Sequence, residues 1–222
     1  MKILPIISIS HLYFANIYKD FSLNIPANTN FAICGENGTG KTSLIKILCD
    51  LLTLDKGSVV FRGMNKNHKT IGYCSQHTTW PNNLKVKTLL ELLIKIHNQT
   101  LPQIFNISLY KDLLIDTIIN FKLKHLSGGQ TRRLALFLAL FYNPRIVFLD
   151  ESFNDIDQRK ITISIIKKYC QVHQIQIILI SHSVYEISQL TNAGVFLVRN
   201  QKKSKIYSTQ QLSKILVSQF KN

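Results

Sequence analysis

The sequence predicts an α/β fold with a mainly parallel sheet, and three observations carry that prediction. Short apolar runs at residues 31–34, 146–149 and 175–180, the last interrupted by Gln176 alone, have the character of strands buried on both faces. Segments of helical periodicity at 43–48, 131–142 and 161–172 lie among them. A Gly-rich loop at 35–42 joins one apolar run directly to the helical segment after it. Strands that alternate with helices assemble as parallel sheets, and such sheets bind ligands beyond the carboxyl ends of their strands.

The elements follow in order. Residues 6–9 and 21–25 alternate or run apolar with β-branched side chains, and Asn28-Thr29-Asn30 marks a turn before the run at 31–34. Residues 57–61 and 71–74 are further strands, the second leading to Gln76. From 84 to about 124 the pattern changes to longer helical segments rich in Leu and Ile, punctuated by Pro81 and Pro102, which predicts a helical insertion. Leu126-Ser127-Gly128-Gly129-Gln130 then precedes a helix predicted over 131–142, basic near its start and apolar beyond. Asn143-Pro144 stops it, and the strand after it delivers Asp150 and Glu151 at its carboxyl end. The run at 175–180 ends at Ser181-His182, and Gln201-Lys202-Lys203-Ser204-Lys205 is a solvated turn before a C-terminal strand and helix.

Composition narrows the classes. A chain of 222 residues, 45% apolar, can bury a real core and fits one domain, with or without a sub-domain. Cys34, Cys49, Cys74 and Cys170 lack metal-ligand spacing and the density of a secreted scaffold, so they are expected as free thiols in a reducing compartment. The apolar run at 3–7 is short and no small-residue cleavage site follows, so a first strand is expected there and not a signal peptide. The longest other apolar stretch, 134–142, is far below the roughly 20 residues that span a bilayer. A formal charge of +15 asks for an anionic partner. Its Lys residues are scattered, however, and Ile, Asn and Lys abound throughout, as in chains from AT-rich genomes. No nucleic-acid partner is expected, because a basic stripe interleaved with aromatics is missing; attraction to a membrane surface stays open.

The motifs carry phosphate chemistry. Gly35-Glu36-Asn37-Gly38-Thr39-Gly40-Lys41-Thr42, with Ser43 opening the helix, matches G-x-x-x-x-G-K-[ST] completely. In such a loop backbone amides turn inward around phosphates, a Lys such as Lys41 reaches the β and γ oxygens, and a hydroxyl such as Thr42 ligates Mg²⁺. Asp150 suits the Mg²⁺ shell, and Glu151 beside it suits the orientation and polarisation of an attacking water. The Gln76 amide oxygen would reach either the metal or that water, and His182 would donate to the γ-phosphate, although alone each is an ordinary residue. Ser127, Gly128, Gly129 and Gln130 open a basic helix and make a second anion-binding surface.

In that order these motifs, with a turn at Asn154-Asp155-Ile156-Asp157, resemble the nucleotide-binding subunits of ABC transporters over nearly the whole chain. The resemblance implies the ABC ATPase fold: a P-loop NTPase core, an N-terminal antiparallel β region and a helical signature sub-domain. It implies one domain over 1–222, with its core at 1–76 and 143–222 and its helical part at about 77–142. Two subunits, here a homodimer, would sandwich two ATP molecules with Mg²⁺, Ser127 and Gly129 of one contacting the γ-phosphate held by the other. Glu151 would be the general base, His182 the γ-phosphate sensor, and Gln76 the link to integral membrane subunits. Tyr13, or Phe14 as the alternative, would stack on adenine. With Lys41, Asp150, Glu151 and His182 all present, an active ATPase is expected. Three departures stand out: Ser152 where Pro is usual, Asp155 where a small residue is usual, and Asn28-Thr29 in place of a Gly-Glu turn.

Within the family the chain is most similar to ATP-binding subunits of the haem-export complex of cytochrome c biogenesis, through its length and the Asp-Glu-x-Phe-x-x-Ile-Asp form at 150–157. That implies a peripheral protein on the cytoplasmic or mitochondrial matrix face of an inner membrane. A small exporter of drugs or peptides, or a soluble ABC ATPase of iron–sulfur assembly, remains an alternative.

Overall fold

Two sheets and the helices around them divide the apolar side chains of the chain. The computed structural model describes residues 5–64, 70–81, 83–97, 100–199 and 204–219. Residues 3 and 4 of the expected first strand and 201–203 of the expected C-terminal turn lie outside them.

β1 (Pro5–Phe14) and β2 (Tyr18–Pro26) form an antiparallel hairpin. Along β2, Phe21, Leu23 and Ile25 are buried while Asn24 is exposed, the period-2 pattern of a sheet with one wet face. The expected turn at Asn28 is present, with a left-handed φ of 54°. β3 (Phe31–Gly35) then enters a second sheet, and α1 (Lys41–Leu48) follows the loop at its end. β4 (Lys56–Phe61) returns to pair with β1, completing a three-stranded sheet in the order β2-β1-β4.

β5 (Ile71–Cys74) leads into the helical stretch: α2 (Val86–His97), α3 (Leu101–Phe105), α4 (Ser108–Asp112), single 3₁₀ turns at Asp116–Ile118 and Leu123–His125, and α5 (Gly128–Leu140). β6 (Ile146–Asp150), α6 (Arg159–Val172), β7 (Gln176–Ile180), α7 (Val184–Leu190), β8 (Ala193–Leu197), β9 (Ile206–Ser208) and α8 (Thr209–Gln219) complete the described chain. The six-stranded sheet runs β5-β6-β7-β3-β8-β9, parallel throughout except for the final β8–β9 pair.

Two expectations need correction. The stretch from 84 to 124 is not a run of longer helices: α2 alone is long, and the rest breaks into short turns. Pro102 sits in the first turn of α3, where a missing N–H costs nothing, and Thr100 with Gln103 forms a capping box that starts a new helix there. α5 also begins three residues before the expected Thr131, because Ser127 and Gln130 cap it reciprocally although Gly128 and Gly129 are poor helix formers.

The parallel strands face two cores. Phe31, Ile33, Ile146, Phe148, Ile178 and Ile180 point toward the antiparallel sheet and α1, whereas Ala32, Cys34, Val147, Leu149, Ile177 and Leu179 point toward the core they share with the helices. With both faces covered, the strands read as near-continuous apolar runs, Gln176 at the start of β7 being a buried exception. Their carboxyl ends share one edge of the sheet, where Gly35, Asp150 and Ile180 end β3, β6 and β7.

Phe148 is fully buried, so Phe148→Ala should cost about 3–5 kcal/mol in urea unfolding. Val60→Ala on the half-exposed face of β4 should stay within about 0.5 kcal/mol. Equal losses would contradict this division of core and surface.

Candidate functional site

The loop after β3 is shaped by what it touches. Gly35 has φ 144°, and a Cβ there would lie 2.4 Å from the Leu197 carbonyl oxygen of the neighbouring strand. Gly40, with φ 92°, precedes α1, and a Cβ there would lie 2.4 Å from the Ile17 side chain. The hairpin turn between β1 and β2 therefore packs on the loop, and the Tyr18 hydroxyl donates to the Gly40 carbonyl at 3.0 Å. No side chain caps α1, so its first-turn amides are free to receive an anion. Thr39 is buried and donates to the Glu36 carbonyl at 2.9 Å, while Glu36, Asn37 and Gly38 are exposed. Thr42 and Ser43 are half-buried at the start of α1. The Lys41 ammonium donates to the Gly35 and Glu36 carbonyls at 2.8 Å each. Burial pulls its pKa down, while Glu151, Cys34 and Asp150 work in the opposite direction.

Asp150 and Glu151 stand at the same edge but in different surroundings. Asp150 is buried, and neither of its carboxylate oxygens has a hydrogen-bond partner. Burial pushes its carboxyl above the usual range; the Thr42 hydroxyl beside it, then Lys46 and Lys41, pull it back, and Glu151 adds to the rise. A buried, orphaned carboxylate beside a hydroxyl fits Mg²⁺, which is held by one or two such groups together with phosphate oxygens and water. Among the described residues no group of three or more His, Cys, Asp or Glu side chains gathers as a metal cage.

Glu151 takes a left-handed φ of 45°, a conformation that costs a non-glycine residue about 1–2 kcal/mol, and its amide donates to the Ile180 carbonyl at 3.0 Å. Its Oε2 accepts from Gln76 Nε2 at 2.9 Å and from Asn154 Nδ2 at 3.4 Å. His182 Nε2 stands 3.6 Å from Oε1 without a hydrogen-bond partner. Burial lowers the His182 pKa, the Lys41 charge acts the same way, and Glu151 opposes both, so the ring is neutral at physiological pH. The structure thus brings Asp150, Glu151, Gln76 and His182, from the carboxyl ends of β5, β6 and β7, together with Lys41 at the start of α1. Gln76 makes its side-chain hydrogen bond to Glu151, and Thr42 is the group beside Asp150.

The pentapeptide caps its own helix. Ser127 Oγ accepts from the Gln130 amide at 3.2 Å, and Gln130 Oε1 accepts from the Ser127 amide at 2.9 Å. Ser127 and Gly128 are exposed, and the turn at 154–157 lies against them: a Cβ on Gly129 would meet the Asp155 carbonyl oxygen at 2.9 Å. Tyr13 is 38% exposed near the end of β1, whereas Phe14 packs on the core under the antiparallel sheet.

Several contributors were not anticipated from the sequence. Asn154 holds Glu151, and Arg132 on α5 donates to the carbonyls of Ser75 and Gln76. The buried Glu186 accepts from Arg159 Nε at 2.7 Å and from the Ser181 hydroxyl, and that same hydroxyl accepts from the Ser183 amide at 2.9 Å. Arg159 and Glu186 thereby fix the backbone on either side of His182. The basic residues near the start of α5 were the signal for Arg132; nothing local marks Glu186.

Fold and site together have the form of an α/β nucleotide-binding domain, with a glycine-rich loop between β3 and α1 beside two carboxylates. Residues 18–154 match the family model described as ABC transporter. The molybdate/tungstate import ATP-binding protein WtpC of Methanocaldococcus jannaschii is 31% identical over 82% of this chain and 65% of that protein. The ATP-binding protein Uup of Buchnera aphidicola is 29% identical over 86% of this chain and 32% of its own length. The chain thus spans less than two thirds of each of these relatives. A solved structure described as the ATP-binding subunit of an ABC transporter superposes with a TM-score of 0.81 at 16% identity, over 98% of this chain and 100% of that one. The chain belongs to the ABC transporter family and has the ABC ATPase fold.

The raised Asp150 pKa sets a pH dependence. A carboxyl that holds its proton more tightly when folded contributes stability that is complete below the ordinary carboxylate range and lost as pH rises through the raised value. Asp150→Asn removes that loss. In buffer free of nucleotide and metal, the variant should melt above the wild type at neutral pH, and the gap should close as pH falls through the carboxylate range. Equal melting temperatures at every pH would contradict the burial argument.

Proposed function

We propose that this chain binds and hydrolyses ATP with Mg²⁺ as the ATP-binding subunit of an ABC transporter. The observation that supports this most is the Glu151 carboxylate, held by Gln76 and Asn154 and facing a neutral His182, at the sheet edge where Lys41 and Asp150 also lie. Lys41 would exchange the Gly35 and Glu36 carbonyls for the β and γ oxygens of ATP, and the amides at residues 36–43 would surround the phosphates. Thr42 and Asp150 would hold Mg²⁺, with Gln76 at its margin, and the ion would supply charge neutralisation on the phosphate oxygens. Glu151 would take a proton from the attacking water, and neutral His182 would hydrogen-bond the γ-phosphate. Tyr13, or else Phe14, would stack on adenine.

The same proposal extends to partners. Ser127, Gly128, Gly129 and Gln130 of a second copy would complete each site, since an exposed helix start with two glycines offers amides to a phosphate. Residues 77–142 would act as a helical sub-domain which, with the segment after Gln76, contacts integral membrane subunits; the core would comprise 1–76 and 143–222. No helix of the described residues is long and apolar enough to cross a membrane. The protein would therefore be peripheral, on the cytoplasmic or mitochondrial matrix face of an inner membrane, with no nucleic-acid partner.

For cargo, the form at 150–157 favours the haem-export complex of cytochrome c biogenesis. Co-purification from detergent-solubilised membranes tests this: multi-span subunits of cytochrome c maturation should come down with the chain, and subunits of another transporter would redirect the assignment. Glu151→Gln should slow hydrolysis by about 10²–10⁴-fold, retain ATP binding and trap a dimer on gel filtration. Wild-type turnover in that variant would remove Glu151 from its role. Ser127→Arg should abolish hydrolysis while the monomer still binds ATP; full activity would exclude a site completed by a second copy.

A further inference from the structure

β5 is the edge strand of its sheet, so the segment that leaves it has a strand ladder on one side at most. Side chains from two other elements hold that segment instead. The Ser152 hydroxyl donates to the Cys74 carbonyl at 3.1 Å, Arg132 Nη1 donates to the Ser75 carbonyl at 2.8 Å, and Arg132 Nη2 donates to the Gln76 carbonyl. Three successive carbonyls are therefore fixed by two side chains, and a planar guanidinium suits two adjacent acceptors in a way that an ammonium does not. Ser152 is fully buried, so its hydroxyl cannot turn to water. The residue that departs from the family pattern is thus a donor that Pro would lack.

Both ends of this clamp lead to Glu151. Gln76, held by its carbonyl, donates through its amide to Glu151 Oε2 at 2.9 Å, and Ser152 is the next residue in the chain. Arg132 itself lies on α5, the helix that Ser127 caps. We propose that Arg132, seconded by Ser152, is a positioning residue: it couples the start of α5 to the orientation of the Glu151 carboxylate through the backbone of Ser75 and Gln76. The inference rests on the proposed function, in which that helix start meets the nucleotide held by a second copy. Engagement of α5 by one nucleotide is then felt at the base that serves the other, and Arg132 touches neither.

The test uses the full chain and reads steady-state ATPase kinetics together with equilibrium binding of a fluorescent ATP analogue. Arg132→Ala should lower kcat about tenfold to a hundredfold while KM and analogue affinity stay within about twofold of wild type. Arg132→Lys, which keeps the charge and one donor direction, should recover part of the loss. Because Arg132 acts through Gln76, the double variant Arg132→Ala/Gln76→Ala should be no slower than the slower single variant. Losses that multiply in the double variant, or an unchanged kcat in Arg132→Ala, overturn the proposal. If Arg132→Ala melts well below wild type, Arg132→Lys and Ser152→Ala carry the test, and wild-type kcat in both overturns it. Glu151→Gln separates the two levels: wild-type turnover there overturns the reading of the site, whereas an inactive Glu151→Gln beside a fully active Arg132→Ala overturns the coupling alone.

Discussion

The Glu151 carboxylate is the constraint on which the rest of the site depends. Its backbone has a left-handed φ of 45°, outside the strand it follows, so the relaxed geometry of β6 does not aim its side chain. Its surroundings aim it: Gln76 beyond β5, Asn154 in the next turn and His182 beyond β7 converge on the two oxygens. Gln76 and His182 reach it because the parallel register of β5, β6 and β7 brings their carboxyl ends level, while Asn154 lies three residues further along the chain. The strain of about 1–2 kcal/mol is spread over a network that would lose its geometry if the register slipped by one residue.

Burial then sorts the charges by task. Lys41 and His182 are both shifted down by desolvation, which keeps the histidine neutral, while Asp150 is shifted up and left without a hydrogen-bond partner. Glu151 instead accepts two side-chain hydrogen bonds. Two adjacent carboxylates with different partners can do different work: the orphan suits a cation, and the hydrogen-bonded one suits a proton. A second buried charge, Glu186, is compensated by Arg159 and by Ser181, and the geometry of the His182 loop is its visible consequence.

Much of this was legible in the sequence where the signal is local. β3, β6 and β7 appear as apolar runs of strand length because both faces of each are covered, and the loop at 35–42 is a contiguous motif between a strand and a helix. What could not be read depends on long-range contacts. Arg132 finds carbonyls 56 and 57 residues away, and Gln76 finds Glu151 across 75 residues, distances at which one sequence carries no spacing rule. The helical insertion is present, but the lengths of its helices were not legible, because Leu and Ile periodicity cannot distinguish one long helix from several short ones wrapped on a shared core, whose caps decide the breaks. The basic charge asked for an anionic partner without saying which, because its Lys residues are scattered, while Lys41 is buried beside its own loop.

The most direct measurement of the central claim is an experimental structure of the chain with Mg²⁺ and a non-hydrolysable ATP analogue. Lys41 Nζ should have left the Gly35 and Glu36 carbonyls for phosphate oxygens, with the metal against Thr42 and Asp150 and a water between Glu151 and the γ-phosphorus. An analogue bound elsewhere, or a Glu151 carboxylate turned away from the γ-phosphate while Lys41 keeps its loop carbonyls, would contradict the account.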